Sequence, residues 1–236
     1  YVGHRYFQMD VNGDGRGDIV ARAANGALLT FLSNGTGFSY AGDSPLGLTD
    51  DGGWNLGQRY FQMDVNGDGK GDLVARTASG SLLTFLSNGI GLSYASESSI
   101  GLSDSGGWNL GLRYFVMDVN GDGRGDIVAR SANGSLLTWV SNGTGFSYAG
   151  ESPLGLSDAS GWNEGHRFFQ MDVNGDGKGD LIARAANGTF RSYVASGTAP
   201  DLLAEITTGL GVSIRITNKP ITDDSVYAKD EGTNAW

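Results

Sequence analysis

Hydrophobic and polar positions alternate along much of this chain with a period of two, and Gly, Asn, Asp and Ser interrupt the alternation every few residues. One stretch shows the pattern in full. RYFQMDV (59–65) and DLVARTA (72–78) are rich in β-branched and aromatic residues and read as two strands. Ser79 and Gly80 form a turn into SLLTFLS (81–87), and Asn88 with Gly89 is a strong hairpin signal ahead of LSYAS. Four short strands are therefore predicted, followed by a linker rich in Ser, Gly and Asp that ends in GGWN (106–109).

The unit recurs. A nonapeptide, DVNGDGRGD or DVNGDGKGD, begins at Asp10, Asp64, Asp118 and Asp172, each 54 residues after the last. The chain parses into repeats of about 1–54, 55–108, 109–162 and 163–198, with a β-rich tail or exit segment over 199–236. Four strands with period-2 patterning in a repeat of this size read as a propeller blade. The expected fold is all-β, a β-propeller of four 54-residue four-stranded blades, closed by itself or part of a larger ring. After Gly188 the fourth copy departs: TFRSYVASG replaces SLLTFLSNG, so Phe190 and Arg191 stand where two Leu stood and the fourth strand is missing. In the tail, VSIRITN (212–218) is predicted as a strand with Val212, Ile214 and Ile216 on one face.

The nonapeptide carries the chemistry. Positions 1, 3, 5 and 9 are Asp, Asn, Asp and Asp, separated by small or solvated residues that let the backbone curl and the oxygens converge. Six to eight oxygen ligands suit a hard cation, with the position-7 carbonyl and water completing the shell. Calcium is the expected cofactor, about four ions, one per repeat. Magnesium prefers fewer carboxylates, while zinc and copper call for His or Cys that the loops lack. The candidate ligands are Asp10, Asn12, Asp14 and Asp18 with the Arg16 carbonyl; Asp64, Asn66, Asp68 and Asp72 with that of Lys70; Asp118, Asn120, Asp122 and Asp126 with that of Arg124; and Asp172, Asn174, Asp176 and Asp180 with that of Lys178. An EF-hand is excluded, because position 12 is Ala21, Ala75, Ala129 or Ala183 rather than Glu. A plain polar turn explains one such loop; four intact copies favour a metal.

The pattern resembles the FG-GAP or VCBS repeat, the calcium-loop blade of integrin-like propellers and many bacterial secreted proteins, over residues 1 to about 197. The resemblance implies an ion bracing each hairpin, on the sixteen side chains just named, and does not imply an enzyme. The segment from Asp201, with Gly-Leu-Gly, Lys-Pro and Asp-Ser-Val-Tyr, resembles the one that follows such repeats in the B component of insecticidal toxin complexes and in virulence-plasmid and Rhs-type toxins.

Composition narrows the function classes. The net charge is −10, and twelve of the 26 acidic residues are loop Asp, so the acidity is local. No basic nucleic-acid footprint and no membrane-spanning run is present. Without cysteine there is neither a disulfide framework nor a thiolate site. Weak carboxylate loops suit media with calcium near about 10⁻³ M, so a secreted or cell-surface bacterial protein is expected. The chain starts inside a repeat without an initiating Met, as a piece of a larger parent would.

Trp54, Trp108 and Trp162 occupy equivalent positions, suited to packing between blades or to a platform for the apolar face of a sugar. The recurrent Arg22, Arg76, Arg130 and Arg184 read as bridges between blades through a carboxylate or carbonyl. His4 and His166 lack any accompanying nucleophile motif, and Glu97, Glu151, Glu164 and Glu205 form no repeated acid pair, so catalysis, including polysaccharide cleavage, is unsupported. The expected function is a non-catalytic calcium-binding propeller module for structure and interaction in a larger secreted or toxin-related bacterial protein, contacting other domains of that parent or a protein partner. A glycan-binding lectin with sites between blades is the alternative, and a polysaccharide-active enzyme fragment a weaker one.

Overall fold

The computed structural model describes residues 5–56, 59–109, 113–163, 167–196, 205–207 and 213–215. The first repeat forms an antiparallel sheet of β1 (Tyr6–Met9), β2 (Asp18–Arg22), β3 (Ala27–Ser33) and β4 (Phe38–Pro45), ordered as in the sequence. The second forms β5 (Tyr60–Met63), β6 (Asp72–Arg76), β7 (Ser81–Ser87) and β8 (Leu92–Ser99), and the third β9 (Tyr114–Met117), β10 (Asp126–Arg130), β11 (Ser135–Ser141) and β12 (Phe146–Pro153). The fourth repeat has three strands among the described residues, β13 (Phe168–Met171), β14 (Asp180–Arg184) and β15 (Phe190–Tyr193). In the tail, β16 (Glu205–Thr207) pairs with β17 (Ser213–Arg215), so a strand does form within 212–218; Val212 and Ile216 lie outside the described residues, as do His4, His166 and Glu164.

The acidic loop joins β1 to β2, whose register runs from Met9 opposite Asp18 to Tyr6 opposite Ala21. The first strand is shorter than its apolar pattern, because Asp10 and its counterparts already belong to the loop. Each outer strand also carries an irregularity the pattern did not signal: the register shifts at Thr30/Phe31, Thr84/Phe85 and Thr138/Trp139, which gives β4, β8 and β12 one extra residue and a local bend.

Two compact units are formed, one of Tyr1–Val116 with Gly123–His166, the other of Met117–Asp122 with Arg167–Trp236. In the first, Phe7, Met9, Val11, Val20, Leu28 and Leu48 of repeat one pack against Leu73, Ala75, Phe85 and Leu92 of repeat two. The same positions one repeat on, from Phe61 to Leu102, pack against Ile127, Ala129, Trp139 and Phe146. The core is thus a series of identical joints between sheets. Leu28 and Leu82 are fully buried in them, and truncating either to Ala would cost about 2–5 kcal/mol. In the second unit, Gly179 N–H donates to the Asp118 carbonyl at 2.5 Å, the bond that Gly71 makes to Asp10 at 2.6 Å in the first.

Candidate metal centre

Each acidic loop is curled by its own carboxylates. Asp10 accepts from the amides of Gly13 at 2.8 Å, Asp14 at 3.1 Å and Gly15 at 2.7 Å. Gly13 and Gly15 have φ of 75° and 80°, a left-handed conformation that a Cβ would strain, which is why these positions are Gly. Asn12 Oδ1 takes the Asp14 amide at 3.0 Å, and Asp14 takes the Arg16 amide at 2.9 Å and its guanidinium at 2.9 Å. Asp64 repeats the pattern with Gly67 and Gly69 at 2.7 and 2.8 Å, and Asp172 with Gly175 and Gly177 at 2.6 and 2.9 Å. Lys70 pairs with Asp68 at 2.9 Å and Lys178 with Asp176 at 3.4 Å. Asp118 accepts from Gly121 at 2.7 Å, and the Asp122 amide reaches Asp118 and Asn120 at 3.1 Å each.

The position-9 carboxylates hold a different place. Asp18, Asp72, Asp126 and Asp180 are almost wholly buried. Asp72 accepts from Val65 N at 2.9 Å and Ser87 N at 2.7 Å, which ties the loop to the third strand, and Asp18 does the same with Val11 and Ser33. Asp180 takes the amides of Val173 and Ala195 at 2.9 and 2.8 Å, and Asp126 takes that of Ser141 at 2.8 Å. Burial pushes the Asp72 carboxyl up to about 6, and neighbouring Asp64 and Asp68 add to the rise against the amides that favour the anion. The Arg16 amide holds Asp14 below the usual carboxylate range.

Three carboxylates and one amide oxygen against one cationic side chain per loop fit a hard divalent cation in donor chemistry and charge. The conformation itself is closed by hydrogen bonds within the loop: among the described residues no three acidic or His side chains are drawn together into one cluster. Neighbouring loops touch. The amide of Gly71 meets the Asp10 carbonyl, and Gln8, Asp10, Gln62, Asp64 and Lys70 line a shallow cavity of ≈ 280 Å³ between loops one and two.

At the other end of the β1–β2 hairpin lies a second charged device that sequence reasoning missed. Arg22, Arg76 and Arg130 are buried, and each pairs with an Asp from its own repeat's linker: Arg22 with Asp50 at 2.7 Å, Arg76 with Asp104 at 2.7 Å, Arg130 with Asp158 at 2.8 Å. A second Arg closes on the same carboxylate, Arg5 on Asp50, Arg59 on Asp104 at 2.6 Å and Arg113 on Asp158. Arg22 also donates to the Leu48 carbonyl at 2.8 Å. The carboxylate and carbonyl partners expected for these Arg are present within the same repeat, where they latch the linker onto its own sheet, and the contact with the next blade is made through a ring, Arg76 lying 5.8 Å from the centre of Tyr114. The signal was available: Arg5, Arg59 and Arg113, like Asp50, Asp104 and Asp158, recur at 54 residues. The Arg22 hydrogen bond holds Asp50 below the ordinary range against partial burial; at Asp158 burial raises the carboxyl, and the bonds from Arg130 and Arg113 outweigh it. Arg184 is exposed, and among the described residues no carboxylate pairs with it.

The Trp side chains are placed against this clamp. Trp54 lies 6.2 Å from the Tyr60 ring, with Arg59 6.0 Å above it, and Tyr60 donates its hydroxyl to the Trp54 carbonyl at 2.9 Å. Trp108, Tyr114 and Arg113 repeat the arrangement, and Trp162 is buried. The packing role weighed from sequence is thus seen at Trp54 and Trp108.

Stacked four-stranded sheets, each with an acidic loop at one end, define an all-β propeller-type repeat array. Residues 118–183 match the FG-GAP-like repeat family. No curated protein matches the chain. Among solved structures, a lectin of Agrocybe aegerita, described by its specific recognition of non-reducing terminal N-acetylglucosamine, is similar at 26% identity and a TM-score of 0.63, over 81% of this chain and 52% of that one. This chain therefore spans about half the length of that lectin. A rhamnogalacturonan lyase of Bacillus licheniformis (17% identity, TM-score 0.48, 82% of this chain and 41% of that one) and the TcdB2-TccC3 structure (14%, 0.43, 87% and 15%) are more distant, and neither bears on the chemistry of this chain. No helix among the described residues is long and apolar enough to cross a membrane.

Proposed function

We propose that the chain is a calcium-braced, non-catalytic interaction module of a larger secreted or cell-surface bacterial protein. The observation that carries the calcium reading is the charge balance of the loops: a buried carboxylate such as Asp72 faces two further carboxylates with one Lys to offset them. Asp64, Asn66, Asp68, Asp72 and the Lys70 carbonyl, with their counterparts, would hold the ion, which supplies positive charge and no reaction chemistry. Titration calorimetry with calcium chloride is expected to give about four ions per chain, with a higher melting temperature in calcium than in EDTA. No heat and an unchanged melt would remove the ion from this reading.

A second reading, glycan binding, is favoured by the likeness to the lectin and by the polar cavity between loops one and two, where two Gln amides, two Asp and a Lys can meet sugar hydroxyls. A glycan array run in calcium and in EDTA tests it. A coherent set of sugars bound only in calcium supports a lectin, and silence from folded protein in both buffers rejects it.

A further inference from the structure

The joint between successive sheets has two faces: a trailing face, which the next repeat covers, and a leading face, which covers the previous one. On the trailing side, Phe7, Met9 and Val11 are 1%, 7% and 0% exposed, and Phe61, Met63 and Val65 are 8%, 8% and 0%. Their counterparts in the fourth repeat, Phe169, Met171 and Val173, are 41%, 50% and 46% exposed, and Phe190, which replaces the buried Leu136, is 62% exposed. On the leading side, Leu92 and Phe146 are 3% and 7% exposed, whereas Phe38 in the first repeat is 53% exposed.

The polar contacts of the joint follow the same logic. Gly71 and Gly125 donate to the carbonyls of Asp10 and Asp64 at 2.6 Å each. Ser87 and Ser141 donate their hydroxyls to the carbonyls of Val11 and Val65 at 2.6 Å each. The first-repeat donors at these positions are Gly17 and Ser33, and the fourth-repeat acceptors are Asp172 and Val173. The spacing is so close at Gly71 and Gly125 that a Cβ would fall 2.6 Å from Met9 or Met63, while a Cβ at Gly17 meets nothing within 4 Å.

The geometry points to head-to-tail self-association: the trailing face of the fourth repeat in one copy docks on the leading face of the first repeat in a second copy. Gly17 then donates to Asp172 and Ser33 to Val173, with Phe169 and Met171 covered as Phe7 and Met9 are. What identifies the occupant is continuity with a joint the chain already builds twice, in which both sides are made of this same sequence. Such a contact is heterologous, so it gives a ring where the rotation closes and an open chain of copies where it does not.

Sedimentation velocity and light scattering on the full chain test this, with Gly17→Val and Met171→Asp as probes. Gly17 lies outside the left-handed region with open space around it, and because it stands between the candidate ligands Arg16 and Asp18 its variant is compared with the parent chain in EDTA; Gly71→Val, which clashes inside a chain, serves as the destabilised control. The expected result is a concentration-dependent oligomer that both variants reduce to a monomer with an unchanged melting temperature in dilute solution. A monomer at high micromolar concentration overturns the proposal. So does an oligomer indifferent to both variants, and so does a monomer whose melting temperature Gly17→Val lowers, because the face is then covered within one chain.

Discussion

The two ends of each β1–β2 hairpin are both charged, and they solve opposite problems. At one end, three Asp and an Asn share a single Arg or Lys, and that cation is itself largely solvated at Arg16. At the other, one Asp receives two guanidinium groups, one of them fully buried, as with Arg22 and Arg5 on Asp50. The clamp draws its counter-charge from within the chain, each guanidinium meeting the same carboxylate. The loop keeps three carboxylates against one cationic side chain, an excess of negative charge that the proposed cation would offset. The difference teaches where the environment can act on this fold: ionic calcium should tune the loop end and leave the clamp end alone.

The largest expected effect separates them at once. Calcium at about ten times its dissociation constant would stabilise each occupied loop by about 1.4 kcal/mol, so chelation of four loops removes about 6 kcal/mol. For a chain of this size that lowers the melting temperature by about 10–20 °C, measurable by scanning calorimetry in calcium and in EDTA. An identical melt in the two buffers would erase the distinction between the ends.

Next in size is the clamp. Asp104→Ala leaves Arg76 buried without its carboxylate and Arg59 with only carbonyl partners. Loss of one partner of a buried pair costs about 3–5 kcal/mol; the partial exposure of Asp104 puts the expected loss near about 3 kcal/mol. The loss should be equal in calcium and in EDTA. A dependence on calcium would mean that the two ends are coupled.

A smaller effect has a size that changes with the buffer. Asp68→Ala removes one ligand, and in calcium it should lower stability by about 1 kcal/mol and the binding stoichiometry by one. In EDTA the same substitution gives up the exposed bonds from the Lys70 amide and ammonium, 2.9 Å each, so the loss should shrink to a few tenths of a kcal/mol, roughly that of a surface ion pair. Equal destabilisation in both buffers would assign Asp68 a purely structural role.

The contrast also explains what the sequence disclosed. The loop is local: nine consecutive residues carry it, so repetition alone exposes it, and the strand SLLTFLS is found over Ser81–Ser87 as its alternation predicts. The Asn88-Gly89 hairpin also forms, with Gly89 at φ 91°. The clamp is non-local, since Arg59 and Asp104 stand 45 residues apart in a stretch whose Ser, Gly and Asp content reads as linker. Only the 54-residue period could have paired them. The register shift beside Thr84 was not legible either, because the extra residue in β8 sits opposite an ordinary alternating strand. The open trailing face of the fourth repeat was half legible: Phe169, Met171 and Val173 keep the apolar types of the joint, and only the fold shows them exposed.

The smallest effect concerns acid. Asp50 and Asp158 have carboxyls held below the ordinary range by their Arg partners. Their unfolded value is about 3.9, so the folded state binds its proton later than the unfolded state does. The stabilisation is then complete above about pH 4 and fades as the pH falls through the lower folded value. Measured in EDTA, to keep the loops silent, the gap in melting temperature between the parent chain and Asp50→Asn should be constant from about pH 7 to 5 and close below about pH 4. A gap that stays open through the acid range would show that the Asp50 charge contributes nothing, and that geometry alone keeps Arg22 and Arg5 in place.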